Sequence, residues 1–337
     1  MRSKIAKYLS VILCFILASC GGQTKKIDGV SFVASRDAID AQHIQPVINL
    51  NANYASVMPF GFIRDLKHPE LIFNTERQWF GERVEGVKQY IKVLQDHDIQ
   101  VMLKPQIWVW RGEFTGQITM ASEADWKTFE KSYSNFILTY AKLAEQLHVS
   151  LFCIGTELKN FTHERPQFWK DLISKIRVVY KGKLTYAANW NEYETVPFWS
   201  DLDYVGIDAY FPVSDKKMPS VEDCLAGWEK YKPEIKALSD QVKKSVLFTE
   251  YGYRSVDYTG KAPWVSDRNM KGVNVKAQYN ATEALFKTFW NESWFSGGFL
   301  WKWFHDHDRV GGENNTMYTP QNKPVEALIK KQYSLNG

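Results

Sequence analysis

Two glutamates end apolar runs of strand length: Glu157 in Gly155-Thr156-Glu157-Leu158 and Glu250 in Phe248-Thr249-Glu250-Tyr251-Gly252, 93 residues apart. A carboxylate at the end of a buried strand loses hydration, so it is costly there unless its charge is used or compensated. Two carboxyl groups drawn together from distant parts of a chain can divide their work. One stays ionised and attacks or accepts a proton; the other stays protonated and donates. Polar and aromatic residues end other apolar runs in the same way, among them Arg64, Gln106, Trp108, Asn189, Trp190, Asp208, Tyr210 and Trp301.

The elements that must position these residues follow from periodicity. Strand-length runs are Val30–Ala34, Ala55–Phe62, Val101–Ile107, Leu151–Thr156, Leu184–Asn189, Tyr204–Ala209, Val246–Thr249 and Gly298–Trp301. Helix-period segments lie between them, the clearest being Glu82–Gln95, Glu123–Gln146, Gln167–Val179, Val221–Leu238, Lys276–Trp290 and Pro324–Gln332. Eight buried strands alternating with helices predict one α/β domain, a (β/α)8 TIM barrel over residues 27–337. An open doubly wound sheet would want a glycine-rich phosphate turn after its first strand, and Val33-Ala34-Ser35-Arg36 is not one. In a barrel the site is built from the carboxyl ends of the strands, and Glu157 and Glu250 fall at the ends of the fourth and seventh. Strict alternation puts Glu157 on the face of Cys153 and Gly155, with Gly155 leaving room for a ligand, and Glu250 on the face of Phe248 and Val246. Facing each other across one mouth, the pair suits the separation of about 5 Å at which one carboxylate attacks a sugar and the other handles protons.

Supporting roles can be assigned around that pair. Arg64 after the second strand is a candidate cation for Glu250, against a surface ion pair with Asp65. Tyr210 after the sixth strand is expected to donate to the same carboxylate. Asp208 faces the same way as Tyr210 by alternation and reads either as a site residue or, somewhat favoured, as a buried structural acid bonded to barrel side chains. Of the thirteen tryptophans, Trp126, Trp169, Trp228 and Trp290 on helices read as core. Trp108, Trp110, Trp190, Trp301 and Trp303 cluster at strand ends, where flat rings suit the C–H faces of sugars, and Trp301 is the preferred platform. His305-Asp306-His307-Asp308 has the spacing to begin a metal site, but no other histidine falls at a strand end. No metal is expected, and the segment reads as a polar loop beside the site or a solvated one.

The segments Ile154-Gly155-Thr156-Glu157-Leu158, Gly206-Ile207-Asp208-Ala209-Tyr210-Phe211-Pro212 and Phe248-Thr249-Glu250-Tyr251-Gly252 are similar, in sequence and order, to those of glycoside hydrolase family 113 in clan A. The resemblance spans most of the chain beyond the amino terminus. It implies an endo-β-1,4-mannanase-like retaining enzyme without a cofactor, with Glu157 as general acid/base and Glu250 as nucleophile. Many clan members carry Asn just before the acid/base, where its amide contacts the substrate 2-hydroxyl. Here that position is Thr156, as in the family 113 pattern, which leaves Asn189 as a residue to share the contact.

The amino terminus reads as an address. Arg2, Lys4 and Lys7 precede an apolar stretch from Tyr8 to Leu17 that is too short to span a membrane, and Leu17-Ala18-Ser19-Cys20 resembles a bacterial lipoprotein signal. Residues 1–19 would be removed, Cys20 lipidated, and residues 20–26 left as a tether, with an outer-membrane anchor favoured by the lack of an acidic run. The formal net charge then falls from +4 to +1, which gives no electrostatic case for nucleic acid as a partner. Of the remaining cysteines, Cys153 and Cys224 read as buried thiols. The expected partners are an oligo- or polysaccharide substrate and, through the lipid, a membrane; the chain is expected to be a monomer. The competing readings are the same chemistry on a β-glucan or galactan, a glycan-binding lipoprotein without turnover, and a metal-dependent hydrolase sensitive to chelators.

Overall fold

A computed structural model describes residues 25–266 and 272–335. Cys20 and the expected signal lie outside the described residues. Eight parallel strands close into a barrel: Ile27–Phe32, Tyr54–Val57, Gln100–Leu103, Leu151–Thr156, Lys183–Asn189, Val205–Asp208, Val246–Tyr251 and Phe295–Trp303, with the eighth pairing the first. Val30, for example, stands opposite Leu300 on the eighth strand and Ala55 on the second. Lys26, expected in the tether, is buried, with its ammonium donating to the carbonyls of Glu292 (2.6 Å) and Phe295. The folded part therefore begins no later than this lysine.

The barrel interior changes character along its axis. At the amino-terminal end Ile27, Met102, Leu151, Cys153, Ala187, Leu247 and Phe299 fill it with apolar side chains. Toward the carboxyl ends come Lys104, Asp208 and Thr249, all fully buried. Outward-facing residues such as Ile154, Ile207 and Phe248 pack under the helices in a second, larger core, where Trp126, Trp169, Trp228 and Trp290 are buried as expected. Cys153 and Cys224 are free and buried. Among the described residues no helix is long and apolar enough to cross a membrane.

The helices start where their caps allow. Ser122 accepts from the Asp125 amide at the head of Glu123–Gln146, and Ser220 and Asp223 form a capping box at the head of Val221–Val242. Ala41–Asn49, which is not among the clearest helix-period segments, carries Pro46 inside it, and its start is fixed by a capping box between Asp40 and His43. The second and third strands are also shorter than expected. The runs Ala55–Phe62 and Val101–Ile107 leave the barrel at Val57 and Leu103, each followed two residues later by a proline that cannot donate to a ladder. They resume as Phe60–Ile63 and Gln106–Val109, which pair in parallel with each other, and Ile72–Phe73 adds antiparallel to the first of them. This three-stranded sheet is separate from the barrel sheet and continues from the carboxyl ends of strands two and three.

Candidate active site

Both glutamates are aimed by a one-residue bulge. On the fourth strand Cys153 pairs with Thr185 and Thr156 with Ala187, so three steps on one strand match two on its neighbour. The expected alternation is broken there: Cys153 faces the interior, but Gly155 faces outward. A Cβ at Gly155 would lie 2.7 Å from the Tyr133 hydroxyl and 2.8 Å from the Trp169 ring, so the glycine makes room for helix packing and not for a ligand. Tyr133 also donates to the Ile154 carbonyl at 2.8 Å, pinning the bulge from behind. Glu157 follows in the left-handed region, at φ 52°, a conformation that costs a non-glycine residue about 1 kcal/mol or more. Its amide donates to the Ala187 carbonyl at 2.8 Å and its carbonyl accepts from the Thr115 hydroxyl at 3.2 Å. The surrounding strands thus hold it in that geometry.

The seventh strand repeats the device. Phe248 pairs with Ile207, yet Glu250 pairs with Asp208. Val246 and Phe248 face the helices, where Phe248 packs on Phe289 and Phe295. Without the extra residue Glu250 would share that outward face, as strict alternation had it. The bulge instead turns both Thr249 and Glu250 inward, and Tyr251 outward onto Phe286 and Trp290. Bulges are common at barrel rims because they re-aim one side chain without breaking the strand.

Glu250 is buried and accepts from three donors: the Lys104 ammonium at 2.6 Å and the Gln106 amide at 3.2 Å on Oε1, and the Tyr210 hydroxyl at 2.7 Å on Oε2. That environment suits a carboxylate, which can only accept. The cation is Lys104, from the end of the third strand, and not Arg64. Arg64 is solvent-exposed and has no ion pair among the described residues. Lys104 also donates to both oxygens of Asp208, at 3.1 and 3.3 Å, and Thr249 donates to Asp208 Oδ1 at 2.7 Å. Burial alone would lower the lysine pKa, but the charges of Asp208 and Glu250 outweigh it and raise it. Burial, together with the nearby Glu250 charge, pushes Asp208 up to about 7. Asp208 is the buried structural acid the sequence suggested, and it also links Lys104 to the site.

Glu157 has the opposite environment. Its side chain accepts one bond, from the Asn189 amide at 2.9 Å on Oε1. Burial first, and then the charges of Asp208, Glu250 and Glu192, hold it well above the usual carboxylate range, with Lys104 opposing. Glu192, which sequence reasoning missed, is itself buried and raised to about 7 by that burial. The Tyr186 hydroxyl donates to Glu192 at 3.2 Å and accepts from the Leu158 amide at 2.6 Å, so it ties Glu192 to the residue that follows Glu157. Tyr210 is raised well above its ordinary value by burial and then by Glu250, and so keeps its proton.

The structure therefore brings Glu157, Glu250, Asn189 and Tyr210 together, and adds Lys104, Gln106, Asp208 and Glu192. Trp301 lies on the eighth strand, partly exposed, with the Lys302 ammonium 5.3 Å from its ring centre and a cis peptide to Lys302. Trp190 stacks on Trp264 at 4.9 Å, which places part of the long loop after the seventh strand against the fifth. Trp108 is half exposed on the separate three-stranded sheet, away from the end of the third barrel strand, and Trp303 is buried. In the loop after the eighth strand His307 bonds Glu326 at 2.7 Å and His305 lies 5.3 Å from His43, ring to ring. Among the described residues no group of three His, Cys, Asp or Glu could hold a metal ion.

Comparison with known proteins gives the same architecture. A GH113 β-mannanase from Alicyclobacillus acidocaldarius, solved in complex with ManMIm, superposes with a TM-score of 0.79 at 21% identity over 93% of this chain and 98% of that one. Two structures described as GH113 β-1,4-mannanase give TM-scores of 0.77 and 0.76 at 22% and 23% identity, covering 92% of this chain and 99% of theirs. A β-glucuronidase from Ruminococcus gnavus is more distant, at 0.58 and 11% identity, and covers 87% of this chain but 46% of its own. No curated protein matches the chain significantly in sequence. The profile of Glycoside Hydrolase Family 113 matches residues 36–323. The chain belongs to that family and is a glycoside hydrolase with a (β/α)8 barrel.

Proposed function

We propose that the enzyme is a retaining β-glycosidase acting on β-1,4-linked mannan or a related mannose-containing glycan, with Glu250 as nucleophile and Glu157 as general acid/base. The observation that carries this reading is the asymmetry of the two carboxyl groups. Glu250 is surrounded by three donors, while Glu157 meets one donor and three carboxyl neighbours that favour its protonated form. Pairs of acids whose environments push them apart in this way serve as base and acid.

In the first step a Glu250 oxygen attacks the anomeric carbon, the glycosidic bond breaks, and the Glu157 proton passes to the departing oxygen. In the second, Glu157 takes a proton from water, which displaces Glu250 from the anomeric carbon. Lys104 keeps Asp208 as a partner while Glu250 is esterified, so its buried charge stays compensated through the cycle. The mannan assignment is supported by the family and by the description of its solved members as β-mannanases. We place the enzyme on the outer membrane through lipidated Cys20, on the strength of the amino-terminal sequence.

The test is release of reducing ends from mannans, glucans and galactans by wild type and Glu250→Ala. Mannan cut by wild type and left intact by the variant is expected. Cleavage of glucan or galactan in preference to mannan would overturn the substrate, and undiminished cleavage by Glu250→Ala would overturn the nucleophile.

A further inference from the structure

The three-stranded sheet that leaves the barrel carries an apolar hollow that catalysis does not use. It has a volume of about 370 Å³ and is lined by Phe62, Ile63, Arg64, Ile72, Trp108 and Trp110. Three of these are large apolar side chains left in water: Ile72 is 57% exposed, Trp108 49% and Trp110 67%. Here the exposed apolar side chains are gathered around one hollow with a polar group at its rim, the form a ligand-binding groove takes. The volume falls in the ordinary range of small-ligand sites, about 300–1,000 Å³.

What belongs there follows from continuity with the catalytic centre. Gln106 begins the strand Gln106–Val109 and its amide reaches Glu250 Oε1 at 3.2 Å. Trp108 is two residues further on the same strand, hence on the same face and about 7 Å along. Its neighbours Ile107 and Val109 point the other way, into the core. One face of one strand thus runs from the proposed nucleophile to the hollow. Arg64, on the paired strand's end, offers guanidinium donors at its edge and has no ion pair among the described residues. Indole faces bounded by a planar donor match a pyranose ring, whose C–H face is apolar and whose edge carries hydroxyls.

Resting on the glycosidase reading above, we propose that this hollow is a distal subsite that binds a neutral sugar unit of the same glycan chain, one or more residues away from the bond being cleaved. Trp108 and Trp110 are its stacking surfaces and Arg64 its hydrogen-bond donor. Short substrates that fill only the centre do not reach it, so it makes the enzyme prefer long chains.

Two measurements separate this proposal from the glycosidase reading. Binding of soluble β-1,4-mannan is followed by retardation in affinity gels with Glu250→Ala and with Glu250→Ala/Trp110→Ala. A loss of about tenfold in affinity for the double variant is expected, the usual scale for truncating an aromatic anchor. In parallel, kcat/KM is measured for wild type, Trp110→Ala and Ile72→Ser on a mannan hexamer and a trimer. A fall of about tenfold on the hexamer and less than twofold on the trimer supports the subsite. Equal falls on both, or unchanged polymer binding in the double variant, would overturn it. If wild type cuts nothing but Trp110 still governs mannan binding, the subsite stands and the hydrolytic reading fails. If mannan is neither cut nor bound, both fail.

Discussion

Replacing Lys104 by methionine tests the charge arrangement at its centre. The ammonium is fully buried and is held between Glu250 at 2.6 Å and Asp208 at 3.1 Å. Methionine keeps much of the side-chain length and removes the charge, leaving two buried carboxyl groups with no cation between them. Removing one partner of such a buried pair costs about 3–5 kcal/mol. The cost falls as one of the acids takes up a proton, since two like charges at close range cannot both persist. Asp208 is already raised to about 7 with the lysine opposing the shift, so its loss moves that value higher. A carboxyl raised in the folded state above its unfolded value of about 3.9 binds more protons folded than unfolded. The variant is therefore expected to approach wild-type stability near pH 5 and to lose it as pH rises toward 8. In the same range kcat falls by roughly 100-fold or more, as for loss of a preorganised charge partner. Thermal unfolding from pH 5 to 8 measures the first effect and hydrolysis of soluble mannan the second. Lys104→Met/Asp208→Asn, which removes one charge of each sign, should recover most of the stability at pH 8. A Lys104→Met protein as stable as wild type at pH 8, with kcat within threefold, would show that the Lys104 charge does not hold Glu250 and Asp208 in place.

Glu157 is raised by burial and by its carboxyl neighbours; in the proposed role of general acid it starts the cycle protonated, so kcat/KM should decline with rising pH through a pKa above the ordinary carboxylate range. Glu157→Gln should remove that limb on substrates with good leaving groups, and a limb that persists would reassign it. Tyr210→Phe deletes the donor at 2.7 Å from Glu250 while keeping the ring; a hydrogen bond to a charged group is worth about 1.5–3 kcal/mol, so kcat/KM should fall roughly 10- to 150-fold with the unfolding temperature little changed. Gly155→Val drives a side chain into Tyr133 and Trp169, and overpacking of this kind costs about 1–3 kcal/mol. Its thermal midpoint should drop, and an unchanged midpoint would contradict the outward orientation of Gly155.

The barrel was legible because each strand is a short apolar run between helix-period segments, and the rule that sites gather at the strands' carboxyl ends led to Glu157, Asn189, Tyr210 and Glu250. Lys104 was not legible. A lysine before a proline at a strand end looks like an exposed charge, and its burial is decided by Asp208 and Glu250, 104 and 146 residues away. Arg64 looked equivalent by position, but the second strand has already left the barrel at Val57 when it reaches that residue. The prolines at 59 and 105, set alike after two neighbouring strands, were the signal for that departure. The bulges left no mark, because Cys153-Ile154-Gly155 and Phe248-Thr249 are compatible with either face of an interior strand. Glu192 was hidden in a polar loop segment, where its burial depends on Tyr186 and the packing beneath it.

In the proposed mechanism Glu250 forms a covalent bond to the sugar. The most direct measurement is to incubate the enzyme with a 2-deoxy-2-fluoro-β-mannosyl substrate carrying an activated leaving group, digest it, and locate the added mass by peptide sequencing in a mass spectrometer. One fluorosugar is expected on the peptide containing Phe248-Thr249-Glu250-Tyr251, fragmenting to Glu250. A label on Glu157 or Asp208, or rapid turnover of an accepted substrate with no covalent species at any time, would contradict it.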